Sequence, residues 1–262
     1  MKKVIRTGFI VLGLSVIMLG LNSCYFDFLD CIRGNGNMDE ESRELNEFDE
    51  VKQYGSFDVI VIQDTMSKVI ISAEENILPY ISTQVSHGAL IIKSRDNHCL
   101  NPSRSVKITV YTPDISKLLL AGSGSMVSDS IVSNKFEAGI TGSGFIRADV
   151  FATDVELNIS GSGDMDVYLE ADYLETNISG SGLMKLFGEI HDSENRITGS
   201  GDIKSLEMEQ EISVVNITGS GSVWVDVSNT LDVNITGSGD VFYSGSPKIY
   251  SNITGSGNII EL

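Results

Sequence analysis

The chain has 262 residues, with Lys+Arg 18 against Asp+Glu 36 and a net charge of −18. That balance excludes a nucleic-acid binder, whose affinity comes from cationic contacts to phosphate. It also sets the surface against anionic lipopolysaccharide unless divalent ions bridge the two; otherwise such a charge serves solubility and keeps rods from stacking end to end.

Met1–Ser23 reads as a targeting segment. Lys2, Lys3 and Arg6 form a positive start, and Gly8–Gly20 is an apolar run too short to span a bilayer. It ends in Leu21-Asn22-Ser23-Cys24, which resembles a bacterial lipobox, with Asn22 departing from the usual pattern. Cys24 is therefore the expected lipidation site and the link to the membrane, since several acyl chains on one Cys give stable anchoring. Tyr25 rather than Asp follows it, which resembles an outer-membrane sorting signal. The alternative is an ordinary secretory signal with a coincidental Cys.

The stretch 24–47 reads as a tether. It holds Gly34-Asn35-Gly36-Asn37 and the acidic Asp39-Glu40-Glu41, with no apolar period. Tyr25, Phe26 and Phe28 suit a lipid interface, and the stretch equally, and more simply, reads as an undirected linker. The stretch 48–119 is less regular but rich in strand signals: Phe57–Ile62, Lys68–Ile71, Ala89–Lys93, Val106–Tyr111 and Lys117–Leu120. Glu74–Leu78 suits a single helical turn stopped by Pro79. These strands are either degenerate first coils or an antiparallel cap on a stack, because terminal repeats must shield an edge.

From 120 to 262 one tripeptide recurs. Gly-Ser-Gly begins at Gly122, Gly142, Gly161, Gly180, Gly199, Gly219, Gly237 and Gly255, in steps of 18 to 20 residues. The unit reads Asn-Ile-(Ser/Thr)-Gly-Ser-Gly-x-(Met/Ile/Val). Such a period is too short for a helical repeat and fits a coil of short strands joined by tight bends. Stacked coils give an all-β parallel β-helix in which the Ile and Met/Ile/Val positions form interior ladders. The glycines supply either φ > 0 at the bend or, by parity with Ile159 and Met165, a narrow inward position at both Gly161 and Gly163. On either reading Ser123, Ser143, Ser162, Ser181, Ser200, Ser220, Ser238 and Ser256 stack into a hydroxyl ladder, here expected to be structural.

Phe48-Asp49-Glu50-Val51, Gly55-Ser56-Phe57-Asp58-Val59, Leu90-Ile91-Ile92-Lys93 and the Gly-Ser-Gly ladder together resemble the auto-transporter adhesin head GIN domain family, from about Phe48 onward. The family is common in lipoproteins of gut and environmental Gram-negative bacteria, and the resemblance implies a right-handed parallel β-helix. It carries no catalytic residues onto this chain.

With Cys24 lipidated, Cys31 and Cys99 remain; they form one disulfide or stay as separate thiols. Gly161-Ser162-Gly163-Asp164-Met165-Asp166 superficially resembles a calcium-binding nonapeptide, but that motif is needed twice per coil and occurs once here. Asp164, Asp166 and Asp202 are the candidates for an acidic patch, or a solvated face; His87, His98 and His191 have no ligand spacing. No metal or cofactor is expected. Asn-Ile-Ser/Thr triplets match a glycosylation acceptor, and equally suit Asn side chains bonding along a ladder. Asp64-Thr65-Met66 and Asp129-Ser130-Ile131 resemble O-glycosylation tripeptides. The expected function is a membrane-anchored, non-enzymatic binding or adhesion module of the cell envelope, at the surface or in the periplasm, with a glycan or envelope-protein partner. The rivals are a structural or stress-related envelope protein and, less favoured, a carbohydrate-active β-helix enzyme.

Overall fold

The structure, a computed structural model, describes residues 31–262; Met1–Ser23, read above as a targeting segment, and Cys24, Tyr25, Phe26 and Phe28 lie outside the described residues. From Lys117 onward the chain winds as a parallel β-solenoid. Each coil sends an inbound strand into the Gly-Ser-Gly bend and an outbound strand away from it. Lys117–Gly122, Lys135–Gly142 and Asp154–Gly161 are inbound and pair in parallel, one coil to the next. Ser125–Val132 and Phe145–Phe151 are outbound and pair the same way. In later coils the strand continues around the far bend, as in Asp164–Gly180 and Leu183–Gly199.

Alternation explains which side faces in. In Asp154–Gly161, Val155, Leu157 and Ile159 are buried, while Glu156, Asn158 and Ser160 face outward. Because the register matches Ile140 to Ile159, Ile159 to Ile178 and Ile178 to Ile197, like side chains stack into one interior column. Met126, Ile146, Met165, Met184 and Ile203 form another, all fully buried. Each such side chain contributes roughly 1.5–3 kcal/mol by leaving water, and only the neighbouring coils make that burial possible.

The two glycines of the tripeptide do different jobs. Gly180 has φ +129, a conformation that side chains resist. Gly182 is buried, and a Cβ there would lie 2.6 Å from both Gly163 O and Ile159 Cγ2. The parity reading therefore holds for the second glycine and fails for the first. Between them the serine amide continues the ladder: Ser181 N–H donates to Gly161 O at 2.8 Å, and Ser162 N–H to Gly142 O at 2.8 Å.

The irregular N-terminal section is both degenerate coils and a cap. Glu50–Gly55 and Asp58–Gln63 form a coil whose bend is Gly55-Ser56-Phe57, with Gly55 in register with Gly122. Phe57 stands where the repeats have their second glycine, and buried Gln53 donates through Nε2 to Phe57 O at 2.7 Å. Next outward comes a coil of Ala89–Ser94 and Lys107–Thr112, which is later in sequence. Antiparallel strands then close the stack: Ile81–Ser86 on Ala89–Ser94, Lys68–Glu74 on Lys107–Thr112, and Met38–Glu44 on Lys68–Glu74. Met38–Glu44 belongs to the stretch read as tether. Its described part is thus folded, and its lack of apolar alternation reflects a mostly exposed edge strand. Pro79 does not stop a turn; it lies inside the short 3-10 turn Leu78–Tyr80, near its start, where a missing N–H costs little.

Candidate functional site

At the capped end Cys31 and Cys99 are joined by a disulfide with Cα atoms 4.4 Å apart, and Ile32–Arg33 pairs with Leu100–Asn101 beside it. Glu74 is inaccessible to solvent. Its carboxylate accepts from Gly36 N–H at 2.5 Å, Ser103 N–H at 2.8 Å and Ser103 Oγ at 2.6 Å. The Ser103 hydroxyl, more than the backbone donors, holds this carboxyl below the usual carboxylate range. The chain around Gly34 passes so close that a Cβ there would collide with the Glu74 carboxylate. This buried anion ties the first described residues to the cap.

The outward side of the inbound strands carries polar columns. Glu137, Glu156, Glu175 and Glu194 stack one coil apart, an arrangement that is repulsive unless relieved. Asn158 Nδ2 donates to Glu156 Oε1 at 2.8 Å, and Asn177 Nδ2 to Glu175 Oε1 at 3.1 Å. Arg196 pairs with Glu194 and, at 3.6 Å, with Glu175. Asn158 and Asn177 therefore bond sideways within a coil rather than up the ladder, and their job is to hold like charges apart. The serines of the tripeptides, from Ser123 to Ser256, are all exposed at the bend.

The acidic candidates do not converge. Asp202 accepts from Ser222 N–H of the next coil at 3.1 Å, Asp166 lies 3.6 Å from Lys185, and Asp164 is two coils from Asp202. A separate open groove of about 610 Å³ lies at the far bend, where Glu170, Glu189, Glu209 and Asp226 stack in register. His191 sits there between Asp192 at 2.9 Å and Glu211 at 3.3 Å. His98 instead contacts Arg95 O and packs on Tyr80, and Cys99 is spent in the disulfide. Among the described residues no group of three or more His, Cys, Asp or Glu is arranged to hold a metal ion.

Inside the middle coils Thr176 Oγ1 donates to Asn195 Oδ1 at 2.9 Å, and Asn195 Nδ2 reaches Ser193 Oγ at 3.0 Å. Ser193 Oγ also donates to Gln210 Oε1 at 2.6 Å. This network replaces apolar columns over a few coils, and mutual hydrogen bonding offsets most of its burial, with the buried Gln210 Nε2 left without a partner.

The remaining irregular place is on the outbound face. Arg147, Asp166, Lys185, Lys204, Trp224 and Phe242 form one outward column on successive coils. The strand Asp202–Gly219 bulges after Lys204, pushing exposed Leu206 and Glu207 out beside that column. The result is a groove of about 350 Å³ between Lys185, Phe187, Lys204, Leu206, Glu207 and Trp224. Lys204 Nζ lies 5.3 Å from the Trp224 ring centroid, and Phe242 stacks on that ring at 5.0 Å and 8°. Sequence reasoning missed this site. Its signal was available: Lys185, Lys204, Trp224 and Phe242 each stand three residues after the second glycine of a tripeptide.

With this geometry in place, likenesses to known proteins are informative. No curated protein matches the chain. The fold matches a "putative adhesin" from Parabacteroides merdae with a TM-score of 0.84 at 22% identity, covering 89% of this chain and 99% of that one. It also matches a "putative lipid binding protein" from Parabacteroides distasonis with a TM-score of 0.83 at 28% identity, covering 88% and 99%. A "putative adhesin" from Bacteroides fragilis matches with a TM-score of 0.66 at 18% identity, covering 88% and 100%. Residues 47–247 match the family model described as "Putative auto-transporter adhesin, head GIN domain". By that match, with its Gly-Ser-Gly solenoid and capped N-terminal coils, the chain belongs to the auto-transporter adhesin head GIN domain family.

Proposed function

We propose that the chain is a non-enzymatic, adhesin-like binding module of the cell envelope, held to the outer membrane through lipidated Cys24. The observation that carries this reading is the solenoid's form: coils of nearly constant length, held rigid by stacked columns, presenting long exposed faces to a partner. Carbohydrate-cleaving β-helices wall their clefts with inserted loops and clustered carboxylates; here Asp202 accepts from an amide and Asp166 faces a lysine of neighbouring coils, and the acids stacked at the far bend lie in register on regular coils. The family name and the adhesins of like fold support the same class. The name of the P. distasonis relative raises a lipid ligand, but buried side chains fill the interior of this solenoid, so a lipid would have to lie against an outer face.

Two measurements on intact cells test the proposal. Cys24→Ala should move the chain from the membrane to the soluble fraction. External protease should degrade the wild-type chain without lysis. Protection from protease would favour the rival reading of a structural protein facing the periplasm, and unchanged membrane association in Cys24→Ala would remove the lipid anchor.

A further inference from the structure

After Gly122 the only basic residues are Lys135, Arg147, Lys185, Arg196, Lys204 and Lys248. Lys185 and Lys204 are directly opposite each other on adjacent coils of the outbound face. Like charges in that relation repel, so on an acidic chain the pairing calls for something in return. Lys185 is partly neutralised by Asp166 at 3.6 Å. Lys204 forms no ion pair among the described residues, and its ammonium rests over the Trp224 ring, anchored but not neutralised. Glu207 stands on the rim of the same groove, and Phe187, Leu206 and Trp224 supply its apolar wall. Two cationic heads beside an aromatic and aliphatic wall form a surface of mixed character. The complementary ligand has one apolar face and an anionic edge. A pyranose ring bearing a carboxylate meets both demands: its C–H face packs on Phe187 and Leu206, and its carboxylate draws the Lys204 ammonium, with Lys185 beside it, into ion pairing.

We propose that this groove binds an acidic carbohydrate of the uronic-acid class, with Lys185 and Lys204 meeting the carboxylate, Phe187 and Leu206 packing on the sugar ring, and Trp224, held between Lys204 and Phe242, lining the groove with its edge. The inference rests on the reading of the chain as an adhesin-like module and names the site and ligand class for it. Binding should weaken with salt, because exposed charge pairs are screened.

Trp224 is the chain's one tryptophan and lines the groove, so its fluorescence reports occupancy directly. The full-length chain in detergent would be titrated with tri-galacturonate, with neutral galactotriose, with inorganic phosphate and with anionic phosphatidylglycerol vesicles. The expected result is a saturable Trp224 response to tri-galacturonate, at least tenfold weaker or absent with galactotriose and phosphate. Lys204→Gln should weaken it at least tenfold, and Lys204→Arg should largely retain it. Calorimetry of Trp224→Phe, which keeps an aromatic ring, guards against reading a fluorescence artefact as binding. Equal affinity for the neutral trisaccharide, phosphate binding of equal strength, a stronger response to vesicles, or indifference to Lys204→Gln would each overturn the assignment. Adhesion of whole cells to a glycan-coated surface separates the two claims. Adhesion that persists without any tri-galacturonate response sinks the groove alone, whereas loss of both sinks the adhesin reading with it.

Discussion

At the capped end, Met38–Glu44 and Ile81–Ser86 run antiparallel to the strands they cover, a disulfide joins Cys31 to Cys99, and donors ring the carboxylate of Glu74. From Gly122 onward each coil rests on the one before it through like-on-like columns and a repeated glycine bend. The difference teaches that stacking propagates a solenoid but cannot finish it. A coil satisfies its neighbour's strand edge and leaves its own open. At this end the stack is closed by strands of another direction and by a covalent and a hydrogen-bonded tie, some of them between segments distant in sequence.

If that division is right, the two regions should fail separately. The largest effect is expected from the double variant Cys31→Ser, Cys99→Ser, since the crosslink spans a sequence separation of 68. Removing a disulfide that closes such a loop costs about 2–4 kcal/mol. The loss should fall on the cap. Far-UV circular dichroism should then show a urea transition earlier than Trp224 fluorescence, which reports the repeats; coincident transitions at the wild-type midpoint would break the comparison.

Next in size is the converse, a lesion inside the repeats. Gly182→Val places a side chain against Gly163 O and Ile159, and overpacking of this kind costs roughly 1–3 kcal/mol. Gly180→Val carries a similar penalty of roughly 1–3 kcal/mol through φ > 0 strain. Both should lower the midpoint seen by Trp224. A melting curve like that of the wild type would mean the bend tolerates bulk.

Acid sharpens the cap further. Glu74 has a lowered carboxyl pKa, so it contributes stability above its ordinary value of 4.5 and loses it as pH falls through the lower folded value. Below pH 4.5 the wild-type cap should loosen progressively, and Glu74→Gln should flatten that part of the pH dependence. An unaltered acid limb in the variant would remove Glu74 from the account. The smallest effect belongs to the serine ladder. Ser181 is exposed and its contribution to the stack is its backbone N–H, so Ser181→Ala should change stability by less than about 0.5 kcal/mol. A larger loss would give the hydroxyls a structural weight that the amides do not explain.

Much of this is legible in the sequence. Ile159, Met165 and their counterparts fall six residues apart across a glycine bend, so parity alone puts them inside. Met38–Glu44 was illegible because an exposed edge strand needs no apolar alternation. Phe57 hid a coil because it replaces the second glycine, and Gln53 stands beside it in the column that Leu120 continues with an apolar side chain. The lysine–tryptophan groove could have been found by aligning the repeats three residues past each second glycine, but its depth comes from the bulge at Leu206, which no period announces.

The sequence by itself determined the coil length, the inward columns and the all-β class, because side-chain packing in a stacked repeat is translational and each coil faces a near copy of itself. The tertiary structure decided that Glu50–Gln63 lies inside Ala89–Thr112, that the two glycines divide their labour, that Asn158 and Asn177 bond sideways, and where a groove opens. Those outcomes depend on pairings between distant segments and on small differences in coil length. Both act through contacts that a one-dimensional period does not contain.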